Sequence, residues 1–217
     1  RYARIYGVWT AVSSSSRLSL PFFAGASTGI GRHAAEHLAR LGFTVLAGVR
    51  KEADIEALQT AHFPTLHPIM LDVTKPADVQ AAVEHAKALA PLPVWGLVNN
   101  AGLGYPIPVE LADMERVRKL YEVNVLAIIE MSQAFAPLLR AAPSGRIVNV
   151  GSATGTMAAQ CDGIYASSKH AVEGLTDSLR LEFSAWDMSV SLLVPGQVQS
   201  NMWGKLTGHN APAEKDL

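Results

Sequence analysis

Several features are scarce in this sequence of 217 residues. Cysteine occurs once, as Cys161, which excludes an internal disulfide and a zinc site built from several cysteines. The chain has no run of lysine or arginine, and 18 basic against 19 acidic side chains give a net charge of -1. The 7 histidines are scattered without metal-binding spacing. We therefore expect neither nucleic acid nor a metal ion as a partner.

Long apolar runs are also missing. No stretch approaches the ~20 uninterrupted apolar residues that a membrane-spanning helix requires, so we expect no transmembrane segment. The composition is nevertheless 49% hydrophobic, which is enough apolar surface to exclude wholesale disorder. These features predict a soluble globular protein. The single cysteine fits a reducing compartment, so we expect a cytoplasmic location, with import into an organelle left open.

The first 17 residues differ from the rest of the chain. They are basic, they contain a run of serines at 13–16, and no acidic residue precedes Glu36. Such a composition is typical of a transit peptide, although a fragment boundary or a gene-model error explains it better. We leave residues 1–17 unassigned and place one domain in residues 18–217, because this length suits a single α/β domain.

From about residue 20, short apolar runs alternate with longer amphipathic ones, as in repeated βαβ units. The pattern predicts six strands: Leu20 to Ala24, Phe43 to Val49, Thr65 to Leu71, Val94 to Asn99, Arg146 to Val150 and Ser189 to Val194. It predicts helices at Gly29 to Leu41, Pro76 to Leu89 with Thr74 as N-cap, Met114 to Leu139 as one helix or two, and Tyr165 to Trp186. We expect a Rossmann-type, doubly wound parallel sheet in a three-layer α/β/α arrangement, with its ligand crevice at the carboxyl ends of the strands.

A glycine-rich loop joins the first strand to the first helix. Gly25 suits the tight turn, Gly29 the close approach of the backbone to a pyrophosphate, and Gly31 the contact between helix and sheet. Glycine loops also join strands to helices where no phosphate binds. The loop alone therefore leaves dinucleotide binding and a structural turn as equal alternatives.

Polar residues follow the next three strands. Arg50 stands near the position where dinucleotide folds meet the adenosine ribose, and no carboxylate is present there, which favours NADP over NAD. A solvated arginine is the alternative. Asp72 could read an adenine amino group or merely help to cap the next helix. The segment Asn99 to Gly102 could line the cofactor crevice or form a structural turn.

Four further residues suggest acid–base chemistry. Tyr165 and Lys169 are spaced i, i+4 and share one helical face, which places an ammonium beside a phenol and can lower the pKa of the phenol. Ser152 follows the fifth strand, where its hydroxyl could bind a substrate oxygen. Asn124 is polar within an apolar helix and requires a partner. A water of a proton relay and a satisfied core amide are the two alternatives for it.

Taken in order, the motifs AGASTGIG, DVT, NNAG, EVNV, VGSATG, YASSK and PGQV resemble the short-chain dehydrogenase/reductase family from Leu18 to Met202, and the phrase VWGLVNNAG resembles its retinol, hydroxysteroid and hydroxybutyrate dehydrogenase branch. The resemblance implies reversible hydride transfer between NADP, or else NAD, and a carbonyl or secondary alcohol. It assigns Tyr165 as the general acid/base and Lys169 as the residue that lowers its pKa and holds the nicotinamide ribose, and both would also contact the cofactor. It assigns Ser152 as the group that orients the substrate oxygen and Asn124 as the holder of a relay water. It also implies a set of residues that contact or shape the cofactor site: Gly25, Ser27, Thr28, Ile30, Gly31, Arg50, Asp72, Val73, Asn99, Ala101, Gly102, Pro195, Gly196 and Val198.

The sequence departs from this family in three places. Ala24 stands where the family usually has threonine, and Ser200 is the expected substitute for a threonine that contacts the carboxamide. Family members usually continue beyond Leu217, so we expect the sheet to lack its last strand and to leave an apolar patch whose remaining wall is Met202, Trp203 and Leu206. A protein that binds the nucleotide without turnover, regulatory or inactive, is therefore the alternative to an oxidoreductase acting on a hydrophobic lipid, retinoid or steroid-like carbonyl. The resemblance leaves homo-oligomerisation open.

Overall fold

Six parallel strands form one sheet in the computed structural model, which describes residues 19–61, 63–196 and 198. The strands are β1 (Leu20–Ala24), β2 (Val45–Val49), β3 (Leu66–Met70), β4 (Val94–Asn99), β5 (Arg146–Val150) and β6 (Ser189–Leu193). Their spatial order is β3-β2-β1-β4-β5-β6, and every neighbouring pair is parallel. β1 therefore lies at the centre of the sheet and the later strands are added outward on both sides, which confirms the predicted doubly wound α/β fold.

Helices connect the strands and cover both faces of the sheet. They are α1 (Gly29–Arg40), α2 (Glu52–Gln59), α3 (Pro76–Ala88), α4 (Met114–Tyr121), α5 (Ala127–Ala141) and α6 (Gly163–Phe183). A π-helical turn, Glu122–Leu126, joins α4 to α5 without a break, and short 3₁₀ turns occupy Val109–Leu111, Ala153–Gly155 and Ser184–Trp186. The long helix predicted from Met114 is thus continuous, and its π turn lies at Asn124.

Three predicted strands are longer than the observed ones. β2 begins at Val45 instead of Phe43, because Gly42 has a φ of 89° and the Phe43 amide donates to the Leu38 carbonyl of α1 at 3.1 Å. This geometry is typical of the C-terminal turn of a helix. β3 begins one residue later and ends one residue earlier than predicted, and β6 ends one residue earlier. Helix α2 was not predicted, since Leu58 is its only buried residue and its apolar pattern is weak.

The predicted N-cap of α3 is wrong. Lys75 occupies the N-cap position and Pro76 the first turn, while the Thr74 hydroxyl donates to the Asp72 carboxylate at 2.8 Å instead of capping the helix. Asp72 also accepts the Thr74 amide at 3.0 Å, which is the local turn that aspartate commonly forms with the residue two positions on. The loop after β3 is therefore organised around Asp72.

Two apolar cores lie on opposite faces of the sheet. Helices α1 and α2 cover one core, and helices α3, α5 and α6 cover the other. In the second core, the Phe22 and Phe135 rings have their centroids 4.6 Å apart, and both side chains are fully buried. The helices thus hold the sheet so that the loops after β1 to β5 meet along one edge.

The continuous helix Met114–Ala141 is long and apolar enough to cross a membrane, judged by length and composition alone. Half of its apolar window is buried inside the protein, as expected for a core helix. The absence of a transmembrane segment stays a prediction.

Within the described residues, β6 pairs only with β5, and Val194 and Val198 beyond it are about 40% exposed. The residues expected at Ser200, Met202, Trp203 and Leu206, and the unassigned segment 1–17, lie outside the part of the chain that the structure describes.

Candidate active site

The loop after β1 is shaped by two glycines. Gly25 has a φ of 90°, and a Cβ atom there would lie 2.7 Å from both the amide nitrogen and the Cα atom of Ala101. A Cβ at Gly31 would overlap the Gly25 carbonyl and the Asn100 amide. Only glycine fits either position, so the loops after β1 and β4 pack backbone to backbone.

Asn100 fastens these two loops together. Its side-chain amide donates to the Gly25 carbonyl at 2.6 Å, and its backbone amide donates to the Ala24 carbonyl at 3.0 Å. Ala24 has no hydroxyl, unlike the threonine that is usual at this position in the family that the sequence resembles. The bonds from Asn100 tie the turn together at this point.

Within the part of the chain that the structure describes, the backbone N–H groups at the first turn of α1 have no hydrogen-bond acceptor. Its N-cap, Thr28, makes no side-chain capping bond, and no acidic residue occupies the first turn. Ser27, Thr28 and Ile30 are all half-buried at this end of the helix. Unpaired N–H groups and the positive end of the helix dipole form a site that suits a phosphate.

Arg50 and Asp72 follow the two neighbouring strands, β2 and β3. Arg50 is exposed and makes no hydrogen bond or ion pair within the described residues. Burial raises the pKa of Asp72, but hydrogen bonds from Thr74 and the charges of Lys119 and Lys75 outweigh this effect and leave the pKa below its usual value. The edge of the sheet thus presents one free cation and one ionised carboxylate.

Tyr165 and Ser152 bring two hydroxyls together beyond the end of β5. Ser152 Oγ accepts bonds from the Thr154 amide at 3.2 Å and from the Thr154 hydroxyl at 2.9 Å. Because both bonds use acceptor sites of Ser152, its own proton is free to be donated to the Tyr165 oxygen or to a ligand oxygen. Thr154 therefore orients the Ser152 hydroxyl.

Lys169 is buried below Tyr165. Its Nζ atom lies 5.7 Å from the centroid of the Tyr165 ring, donates to the Val150 carbonyl at 2.8 Å, and belongs to a residue that is only 4% exposed. Burial lowers the pKa of this ammonium to about 8. The lysine thus reaches from the middle of α6 to the carboxyl end of β5.

The pKa of Tyr165 differs from the sequence-based expectation. Burial raises it above 10, a hydrogen bond with Ser152 lowers it, and the carboxylate of Asp162 raises it. The Lys169 ammonium donates to the Val150 carbonyl and lies 5.7 Å from the centre of the phenol ring, so it faces the ring and not the phenol oxygen. The protein by itself therefore holds Tyr165 as a neutral phenol.

Asn124 is a satisfied core amide. Its side chain is completely buried, accepts the Leu103 amide at 2.8 Å, and donates to the Leu103 carbonyl at 2.9 Å and to Ser168 Oγ at 3.0 Å. Ser168 in turn donates to the Tyr165 carbonyl at 2.7 Å. Asn124 thus links the loop after β4 to the helix that carries Tyr165, and its role in holding a relay water stays a prediction.

The other predicted site residues lie around the same edge of the sheet. Asn99 and Val73 are buried, and the Asn99 amide donates to Asn149 at 2.9 Å inside the core. Gly102 lies near Asn124 and Lys169, so a Cβ there would be 3.6 Å from the Asn124 oxygen and 3.8 Å from Lys169 Nζ. Pro195 accepts the Ala153 amide at 3.0 Å, which places the segment with Gly196 beside Ser152.

The sequence interpretation missed four residues that support the site: Thr154, Ser168, Asp162 and Lys119. Ser168 stands directly before Lys169 in the YASSK motif, so its position on α6 could have indicated an internal bond. Thr154 and Asp162 lie within three residues of Ser152 and Tyr165. Lys119, which donates to Thr74 at 2.9 Å, is 45 residues away from it in sequence, and no local pattern indicates the contact. Among the described residues, no cluster of His, Cys, Asp or Glu could hold a metal ion.

Comparison with known proteins identifies relatives over most of the chain. A family model described as short chain dehydrogenase matches residues 22–211. The NADPH-dependent 3-dehydrocapnine reductase of Ornithobacterium rhinotracheale is 34% identical over 87% of this chain and 68% of its own length. Dehydrogenase/reductase SDR family member 9 of Bos taurus is 37% identical over 90% and 60%, and estradiol 17-beta-dehydrogenase 2 of Mus musculus is 36% identical over 89% and 53%.

Solved structures share the fold. The 3-ketoacyl-(acyl-carrier-protein) reductase from Brucella melitensis, complexed with NADH, superposes with a TM-score of 0.82 at 27% identity, covering 86% of this chain and 78% of its own. A gluconate 5-dehydrogenase described as putative and NAD(P) dependent, from Beutenbergia cavernae with bound NADP, gives 0.77 at 30% identity, covering 88% and 77%. The chain thus covers between about half and two thirds of the length of the three relatives. It covers about three quarters of the length of the two solved structures.

Proposed function

Because the chain belongs to the short-chain dehydrogenase family, we propose that it is an oxidoreductase that transfers a hydride between NADP(H) and the carbonyl or secondary alcohol of an apolar substrate. The observation that carries this proposal is the meeting of the Tyr165 and Ser152 hydroxyls above the buried ammonium of Lys169, next to the loop built on Gly25. Two hydroxyl donors at one point suit a carbonyl oxygen.

The residues at the sheet edge fit a dinucleotide. Because Gly25 has no side chain, the loop after β1 leaves room for a pyrophosphate. The uncapped first turn of α1 provides N–H donors for it. Asp72, kept ionised, suits the adenine amino group. The exposed guanidinium of Arg50 suits a 2′-phosphate, because it is planar, always charged and free of partners within the described residues. The related reductase named as NADPH-dependent and the gluconate 5-dehydrogenase with NADP support the same cofactor, although the Brucella enzyme has NADH.

The proposed acid–base steps use the protein's own groups. A bound NADPH supplies the hydride that the carbonyl carbon accepts. Ser152 donates a hydrogen bond to the substrate oxygen, and Tyr165, a neutral phenol, transfers its proton to that oxygen as the carbonyl becomes an alcohol. Lys169 then stabilises the phenolate through its nearby positive charge until the phenol is protonated again. In the reverse direction the phenolate form of Tyr165 accepts the proton of the alcohol and becomes the phenol again.

Apolar side chains near the site favour an apolar substrate. Val109 is 70% exposed in the loop after β4 and lies beside the start of α6, since a Cβ at Gly163 would be 3.6 Å from its Cγ2 atom. Met157, five residues beyond Ser152, is 74% exposed. Large exposed apolar side chains beside a catalytic tyrosine suit a hydrocarbon group next to the reacting carbonyl. The name of one relative, estradiol 17-beta-dehydrogenase 2, points the same way.

The test is NADPH oxidation by the purified chain with pairs of ketones that differ only in the polarity of the group beside the carbonyl. We expect faster turnover with the apolar member of each pair. We also expect Tyr165→Phe to abolish this turnover. Turnover without dependence on Tyr165 would contradict the assignment of the acid/base.

A second candidate function is binding of the nucleotide without turnover. The pKa of Tyr165, which burial and Asp162 raise, favours it, because a phenol far from its pKa exchanges protons poorly at neutral pH. Saturable NADPH binding with no oxidation across the ketone panel would support this alternative. The cytoplasmic location and the homo-oligomeric state stay predictions.

A further inference from the structure

A chain of two hydrogen bonds leads from α4 to Asp72 in the loop after β3, and a third bond supports it within the loop. Lys119 Nζ donates to the Thr74 hydroxyl at 2.9 Å, and that hydroxyl donates to Asp72 Oδ1 at 2.8 Å. The Thr74 amide donates to the same carboxylate oxygen at 3.0 Å. Lys119 is 45 residues from Thr74 in sequence, so this contact depends on the packing of α4 against the loop.

The direction of these bonds is fixed by chemistry. An ammonium can only donate, so the Thr74 oxygen must accept from Lys119. The hydroxyl has one proton, and with its oxygen occupied by Lys119 this proton points to Asp72. Both Thr74 donors reach Oδ1, and Oδ2 has no hydrogen-bond partner within the described residues. The arrangement holds one carboxylate oxygen and leaves the other available.

The backbone of Asp72 is held as well. Its amide donates to the Asp78 carboxylate in the first turn of α3 at 2.9 Å, so the residue is fixed from both α3 and α4. Lys119 also contacts Glu122 of the π turn at 3.3 Å, and this bond restrains the ammonium from its other side. The Lys119 side chain is half exposed, so its effect on Asp72 should be moderate.

We propose that Lys119 is a positioning residue for the adenine end of the cofactor: through the Thr74 hydroxyl it holds Asp72 so that the free carboxylate oxygen receives the adenine amino group. This inference rests on the proposed function, because it takes the loop after β3 as the adenine site. Lys119 itself does not touch the cofactor in this proposal.

The test compares NADPH with reduced nicotinamide mononucleotide, which lacks the adenosine part. In Lys119→Met we expect the Kd for NADPH, measured by titration, to rise about threefold to tenfold. The KM for reduced nicotinamide mononucleotide and the kcat with either cofactor should stay within about twofold of the unmutated chain. A general loss of structure would instead impair both cofactors.

Two further variants separate the hydrogen bond from the charge. Lys75→Met removes the other lysine whose charge acts on Asp72, but the Lys75 side chain makes no bond to Thr74. We expect this control to weaken NADPH binding less than Lys119→Met does. Thr74→Val removes the linking hydroxyl, and in the double variant Lys119→Met should then add nothing further.

Three results would overturn the proposal: equal losses in Lys75→Met and Lys119→Met, equal losses with both cofactors, or additive losses in the double variant. If the unmutated chain binds NADPH and Lys119→Met binds it equally well, only this inference fails. If the unmutated chain binds neither cofactor, the proposed function fails with it.

Discussion

The ammonium of Lys169 donates a hydrogen bond to the carbonyl oxygen of Val150 at 2.8 Å. Val150 is the last residue of β5, so this bond joins the middle of α6 to the end of the strand that leads to Ser152. The carbonyl would otherwise lie unpaired near the sheet edge, and the lysine would otherwise be a buried charge without a partner. Lys169 therefore supports the local structure in addition to its proposed role in catalysis.

Burial of Lys169 should make stability depend on pH. Its pKa is about 8 in the folded protein against an ordinary value of 10.5, so the unfolded chain binds more protons between these values. The free energy of unfolding should therefore rise as the pH rises from about 8 to 10.5, by up to about 3 kcal/mol from this group. Urea unfolding of the chain at several pH values measures this rise.

Lys169→Met is the matched control, because it fills similar space without a titrating group. Other lysines and tyrosines titrate in the same range, so the informative quantity is the difference between the two proteins at each pH. A difference that does not change with pH would show that the buried ammonium is not destabilised.

Much of the fold follows from short-range patterns. Strands buried on both faces appear as continuous apolar runs, and β1, β4 and β5 have the predicted bounds. The apolar pattern did not predict the start of β2 or the existence of α2. The turn at Gly42 decides where β2 begins, and α2 is only weakly buried. The ends of β3 were also missed. Boundaries of this kind depend on backbone bonds that the apolar pattern does not encode.

The site was predictable where residues lie close in sequence or follow strand ends. Tyr165 and Lys169 share a helical face by their spacing, and the fold brings Ser152 to them. The bonds of Asn124 to Leu103 and Ser168 and of Lys119 to Thr74 join residues 21 to 45 positions apart. Tertiary packing sets these contacts, and the sequence alone left open whether Asn124 binds water or the protein.

Removal of the Tyr165 hydroxyl should stop turnover without loss of cofactor binding. In Tyr165→Phe only the transferable proton is removed, so we expect the rate of NADPH oxidation to fall ~10²- to 10⁴-fold while the Kd for NADPH stays within about twofold. Stopped-flow or steady-state absorbance with an apolar ketone measures the rate.

Tyr121→Phe is the control. The Tyr121 hydroxyl donates to Ser167 at 2.8 Å on the neighbouring helix, and loss of this hydroxyl should leave the rate nearly unchanged. Equal rates in both variants would exclude Tyr165 as the acid/base.

Arg50 should distinguish NADPH from NADH. In Arg50→Ala we expect binding of NADPH to weaken by ~1.5 to 3 kcal/mol, because a charge-assisted bond to the 2′-phosphate is lost. Binding of NADH, which has no such phosphate, should change little. Isothermal titration with both cofactors measures the two effects.

Arg40→Ala provides a comparison of equal charge. Arg40 lies at the other end of α1, pairs with Glu36 at 3.5 Å, and should not affect either cofactor. Equal affinity of the unmutated chain for NADPH and NADH would show that Arg50 does not select the cofactor.

A methyl group should have opposite effects at two glycines. In Gly25→Ala the new Cβ would lie 2.7 Å from the Ala101 backbone, and the φ of 90° is strained for alanine, so we expect a loss of ~1 to 3 kcal/mol of stability and weaker NADPH binding. In Gly174→Ala, on the exposed side of α6, the Cβ has no neighbour within 4 Å. There alanine favours the helix, and we expect a gain of ~0.5 to 1 kcal/mol in the free energy of unfolding with unchanged NADPH binding.

Urea unfolding and NADPH titration of both variants test the pair. A destabilised Gly174→Ala would mean that α6 packs against something at this face. A tolerated Gly25→Ala would mean that the loops after β1 and β4 can separate, and the close approach that makes room for a pyrophosphate would then not be required.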